Sequence, residues 1–155
     1  MATEIERKFL LSELPGTLRL ARAETIRQGY LALDGDTEVR LRTGSEPPRL
    51  AIKSGRGAVR TEVEFAVEGR DAAALWELTE GRRIEKLRRR MRAAGVEAEV
   101  DEYVGDLAGL VVLEVEFADE DAARAFAPPA WFGRELTGDP AYANRSLAVD
   151  GLPPG

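Results

Sequence analysis

The feature that most constrains this chain is an alternation of apolar and polar residues that keeps returning with full charges on its polar side. In "TEIERKFLL" (Thr3–Leu11), Ile5, Phe9 and Leu11 fall on one side with Arg7 among them, and Glu4, Glu6 and Lys8 on the other. A period of two is the signature of an extended strand, whose successive side chains point to opposite faces. The pattern recurs. Arg40 and Arg42 alternate with Val39 and Leu41, and Lys53 with Leu50 and Ile52. Glu62, Glu64 and Glu68 alternate with Val63, Phe65 and Val67, and Lys86, Arg88 and Arg90 share a face with Ile84. Glu99 and Asp101 flank Val100, and Glu114 and Glu116 alternate with Leu113, Val115 and Phe117. Sign looks sorted by strand, some bringing only carboxylates and others only cations.

The alternation predicts strands at 2–11, 25–33, 37–43, 49–54, 59–68, 83–91, 96–104 and 110–118. Turn chemistry separates them at "DGD" 34–36, "SEPP" 45–48, "SGRG" 54–57, "AAG" 93–95 and "GDLAG" 105–109. Three helices are expected. One begins at Asp71 and closes at Gly81, one begins at Asp119, and one has Asp139 as N-cap and Pro140 at its first position. The 155 residues suit one domain, 1–155, with a C-terminal helical segment at about 119–148. The expected class is α+β, mainly β: a closed eight-stranded antiparallel barrel with helices packed outside.

A single Glu-x-Glu on a strand is usually a wetted sheet face. Open faces, however, mix Ser, Thr and Gln with their charges, and neighbouring like charges there repel. Recurrence across many strands points instead to charged faces that line a shared interior. The apolar faces would then point outward, covered by helices around Leu75, Trp76, Leu78, Phe126 and Trp131. Buried charges need partners or occupants. Glu4, Glu6, Glu62, Glu64, Glu114 and Glu116 would attract divalent cations, and Lys8, Arg40, Arg42, Lys53, Lys86 and Arg88 an anion. A metal-bound polyphosphate answers both demands, since arginine forks grip phosphate oxygens and lysine supplies point charges.

Composition narrows the chemistry. There is no cysteine and no histidine, which removes thiolate and imidazole catalysis and leaves only oxygen ligands for a metal. Oxygen donors favour hard cations, Mg²⁺ or Mn²⁺ for phosphate work. A formal net charge of −6 argues against a broad nucleic-acid surface. The absence of an apolar run long enough to span a bilayer, or of a leader pattern, makes no membrane partner and a cytoplasmic setting the expectation. A homodimer is left open.

These residues resemble a known family. "EIERK" is similar to the E-x-E-x-K signature of the CYTH superfamily, the triphosphate tunnel metalloenzymes, and "VRLR", "AIKSG", "TEVEF", "EKLR" and "LEVEF" follow in that family's order. "PPAWFG…YANRSLA" resembles the end of the short bacterial members, the inorganic triphosphatases. The resemblance implies an eight-stranded tunnel, a small-molecule triphosphate and metal-dependent cleavage of its terminal phosphoanhydride. Inorganic tripolyphosphate is the first choice. Adenylate cyclase, thiamine triphosphatase, nucleoside triphosphatase and a non-catalytic polyphosphate-binding module are alternatives, the cyclase weakened by the missing histidine. It further implies that Lys8 and Tyr30 assist the attacking water. Asp101 matches an acidic family position or pairs with a nearby arginine. Arg145 stands where related chains carry Lys; a reach into one tunnel mouth is one reading of it, a surface role the favoured one. Arg89 and Arg92 are expected to lie outside.

Overall fold

The computed structural model describes residues 5–55 and 61–154; Glu4 and residues 59–60 of the expected fifth strand lie outside them. Eight strands form one antiparallel sheet: β1 (Ile5–Leu11), β2 (Glu24–Asp34), β3 (Thr37–Gly44), β4 (Arg49–Ser54), β5 (Thr61–Ala66), β6 (Arg83–Ala93), β7 (Val96–Tyr103) and β8 (Val111–Phe117). Their order across the sheet is β1-β8-β7-β6-β2-β3-β4-β5. Three helices, α1 (Gly69–Glu77), α2 (Glu120–Ala125) and α3 (Asn144–Asp150), complete the fold.

The strand number and antiparallel order are those the alternation predicts. Closure takes a different form. Among the described residues the ladder runs from β1 to β5 without joining these two strands. The far side of β1 is already used by the C-terminal segment. Gly133 N–H donates to Leu10 O at 2.8 Å, Leu10 N–H to Arg134 O at 2.9 Å and Leu136 N–H to Lys8 O at 2.7 Å. Backbone groups satisfied in this way have no capacity left for β5.

The helices start where local chemistry allows. Asp119 caps α2 by accepting from Ala122 N–H at 2.7 Å. Asp71 does not begin α1, which starts at Gly69; Asp71 sits in its first turn, where a carboxylate favours the positive end of the helix dipole. The helix expected from Asp139 divides in two. Asp139 and Pro140 start a single 3-10 turn, Pro140–Tyr142, after which Ala143 is extended (φ −66°, ψ 141°) and α3 begins anew.

Two apolar clusters hold the sheet. One lies on the outer face: Phe9, Leu11, Val100, Leu113 and Val115 pack under Leu18 and Phe132, with Phe126 against them. The second fills one end of the concave face. Tyr30, Ile84, Tyr103 and Val112 meet Leu136, Tyr142 and Leu147 there, so the 3-10 turn and α3 stop that end. The expected outer covering is only partly realised. Phe126 is packed into it, but Trp131 is 47% exposed, and Leu78 64%, since α1 and the turn after it bury Ala72 and Thr79 instead. Val63 and Phe65 of β5 are also open to solvent. Among the described residues no helix is long and apolar enough to cross a membrane.

Candidate active site

The charged faces converge on one cavity of about 670 Å³. It is lined by Glu6, Lys8, Tyr30, Arg40, Arg42, Lys53, Glu62, Glu64, Lys86, Arg88, Glu114, Glu116 and Arg145, which includes every predicted site residue in the described chain except Asp101. The register explains the convergence. Glu6 faces Glu116 and Lys8 faces Glu114 across β1–β8, Lys53 faces Glu62 across β4–β5, and Tyr30 faces Arg40 across β2–β3. Cross-strand partners share a face, so one inward residue brings its neighbours inward with it.

Sign is sorted by position in the sheet more than by strand. Cations hold the centre (Lys86 and Arg88 on β6, Arg40 and Arg42 on β3, Lys53 on β4), while carboxylates hold the flanks (Glu6, Glu114, Glu116 and Glu99 on one side, Glu62 and Glu64 on the other). Strict sorting strand by strand fails. β1 carries both signs, and Glu38, buried on the arginine strand β3, also lines the cavity.

Two grades of ion pairing occur. Deep in the sheet, Lys86 Nζ lies 2.7 Å from Asp101 Oδ2, and Arg88 grips both Asp101 oxygens at 2.8 and 2.9 Å. Asp101 therefore takes the pairing role and not the cavity wall. Burial opposes its charge, but Lys86 and Arg88 overcome this and hold its carboxyl down at about 2. Burial lowers the Lys86 ammonium, with Asp101 acting against that shift. Nearer the open space the pairs are loose: Lys8–Glu114 at 3.8 Å, Arg40–Glu38 at 3.9 Å and Lys53–Glu62 at 3.7 Å. These separations exceed hydrogen-bonding distance, so the cations keep donors to spare.

Tyr30 is 1% exposed, and its hydroxyl accepts from Gln28 Nε2 at 2.7 Å. Burial raises the phenol above its ordinary range, with Arg40 acting the other way. It is thus a proton donor at neutral pH and not a base. Lys8 Nζ donates to Tyr142 O at 2.7 Å, tying the catalytic candidate to the C-terminal plug. Of the two readings of Arg145, the cavity mouth is the one that applies: it lines the cavity, where α3 packs over one end of the sheet. Arg92 is exposed and paired with Glu97, as expected, but not because of parity: it shares the parity of Lys86 and Arg88 and lies outside because β6 runs past the cavity at that end. Arg89 does point away from the cavity but is 8% exposed, packed on the outer face and bound to Glu102 at 3.0 Å.

Sequence reasoning missed Glu38, Glu99, Gln28 and Asn144. Glu38 and Glu99 share the parity of their charged neighbours, which was signal enough. Gln28 and Asn144 carry no charge and leave no mark in a pattern of charges. For a metal, the donor set is hard oxygen throughout, but among the described residues no three carboxylates meet as a ready-made cage. Such donors fit a hard divalent cation that is shared between one or two carboxylates and substrate phosphate oxygens.

Comparison with known proteins agrees with this geometry. A CYTH domain matches residues 2–137. The inorganic triphosphatase of Nitrosomonas europaea is 44% identical over 95% of this chain and 97% of its own length. That of Acetivibrio thermocellus is 40% identical over 95% and 94%. A crystal structure of an inorganic triphosphatase superposes with a TM-score of 0.77 at 41% identity, covering 100% of this chain and 99% of the other. With its inward charges, its eight-stranded antiparallel sheet and these matches, the chain belongs to the CYTH domain family.

Proposed function

We propose that the protein hydrolyses inorganic tripolyphosphate to pyrophosphate and phosphate, in the cytoplasm, as a single CYTH-type domain. The carrying observation is the set of cations Lys8, Arg40 and Lys53, each with a carboxylate at 3.7–3.9 Å. A linear polyanion can take the donors that these carboxylates do not saturate. Arg40, Arg42 and Arg88 would grip phosphate oxygens in planar forks, and Lys53 and Lys86 would supply point charges.

Metal dependence comes with the family. Mg²⁺ or Mn²⁺ is the proposed ion, held by Glu6, Glu114 and Glu116 on one flank and Glu62 and Glu64 on the other; Glu4 is assigned with them although it lies outside the described residues. When bound, the ion would neutralise charge on the phosphate oxygens. The protein's own part is positioning. The central cations hold the chain while water adds in line to the terminal phosphorus and the bond to the pyrophosphate oxygen breaks. Tyr30, kept protonated by burial, donates a hydrogen bond toward the reacting end, and Lys8 holds that end against the plug. Asp101 keeps Lys86 and Arg88 in place, and Arg145 reaches the triphosphate from α3.

The test is a substrate panel. The protein is incubated with Mg²⁺ or Mn²⁺ and tripolyphosphate, ATP or thiamine triphosphate, and phosphate and cyclic AMP are measured. Rapid phosphate release from tripolyphosphate alone is expected. Faster turnover of ATP, or cyclic AMP formation, would reassign the substrate.

A further inference from the structure

Gln28 lies on the inward face of β2 with 0% exposure, two residues before Tyr30. A neutral amide buried among so many charges is bonded at both ends. Arg42 Nε donates to its Oε1 at 3.0 Å, and its Nε2 donates to the Tyr30 hydroxyl at 2.7 Å. The orientation of the amide is dictated by chemistry. A guanidinium can only donate, so the oxygen must face Arg42 and the NH₂ must face Tyr30. The phenol oxygen is therefore an acceptor on that side. Arg40, its cross-strand neighbour, is donor-only as well. Among the described residues no acceptor is bonded to the phenol proton, and Tyr30 lines the cavity. The proton is thus left for whatever occupies that space.

We propose that Gln28 is a positioning residue for the hydrolysis: its amide, oriented by Arg42, turns the Tyr30 hydroxyl so that the phenol proton is donated to an oxygen of the bound triphosphate. One residue then links a phosphate-gripping arginine to the hydroxyl that meets the reacting end. Binding at Arg42 and donation from Tyr30 are coupled through two hydrogen bonds. The proposal rests on the triphosphatase reading above.

A double-mutant cycle tests it. Steady-state tripolyphosphate hydrolysis with Mg²⁺ is measured for the wild type, Gln28→Met, Tyr30→Phe and the double variant. Removing one positioned hydrogen bond is expected to lower kcat by about tenfold in each single variant. KM should change less than kcat in both. Because Gln28 acts through the hydroxyl, Gln28→Met should change kcat less than about twofold once Tyr30 is Phe. Gln28→Glu supplies a second, isosteric test that keeps the bond from Arg42. A carboxylate would accept the phenol proton and draw it from the cavity, so kcat should fall as far as in Tyr30→Phe. Equal effects of Gln28→Met in both backgrounds, or a Tyr30→Phe variant with wild-type kcat, would overturn the inference while leaving the triphosphatase reading intact. A wild type that releases no phosphate from tripolyphosphate would overturn both.

Discussion

Asp101→Asn removes one charge from the most deeply buried ionic group of the fold. The carboxylate is 2% exposed and Lys86 1%. Breaking a buried pair by deleting one partner costs about 3–5 kcal/mol, since the other charge is left without compensation. Asparagine keeps the shape and one acceptor oxygen, and Arg88 retains Glu99 at 3.3 Å, so the lower end, about 3 kcal/mol, applies. A carboxyl held down to about 2 by Lys86 and Arg88 when folded, against 3.8 when unfolded, agrees in sign: the ionised form is stabilised by folding. For a domain of this size, about 3 kcal/mol corresponds to roughly 6–12 °C in Tm. The sign with pH follows from the depressed value. The contribution is complete above the unfolded pKa and is lost as pH falls from about 4 through about 2. Thermal unfolding followed by circular dichroism, at neutral pH and down to about pH 3, should show a gap between wild type and variant that narrows with acid. A gap under about 1 kcal/mol at neutral pH, or one that does not change with pH, would refute the reasoning.

Gly29→Ala should destabilise by about 1–3 kcal/mol in urea titrations, since its Cβ would lie 2.4 Å from Oγ1 of the wholly buried Thr79. Tripolyphosphate with Mg²⁺ at a hundredfold excess over Kd should stabilise the fold by about 2.7 kcal/mol, seen as a raised Tm that neither component gives alone. Arg145→Ala should leave stability within about 0.5 kcal/mol, because Arg145 makes no hydrogen bond or ion pair among the described residues. Its KM for tripolyphosphate should rise about tenfold, the effect of removing one charge-assisted hydrogen bond to the substrate.

Much of the site could be read from parity alone. Once Arg40 and Arg42, or Glu114 and Glu116, are placed on strands, a period of two obliges each pair to share a face, and antiparallel register carries this to the next strand. Parity says nothing about depth, however. Asp101 and Glu99 share a face, yet one is sealed between Lys86 and Arg88 while the other borders the cavity. Arg89 was rightly turned away from the interior, but its burial depends on what packs over the outer face. The division of the last helix was also hidden, because Asp139-Pro140 is an equally good start for one turn or for three. The hydrogen bonds of residues 133–136 to β1 depend on main-chain groups, which leave no trace in side-chain pattern. The choice between cavity and surface for Arg145 was left open by the sequence for the same reason, since its position follows from where that segment docks.

The stopper formed by Leu136, Tyr142 and Leu147 against Tyr30 and Tyr103 has a consequence for traffic. A bore blocked at one end cannot be threaded. Under the triphosphatase reading, a bound phosphate chain would lie with one end toward that stopper, where Tyr30 lines the cavity.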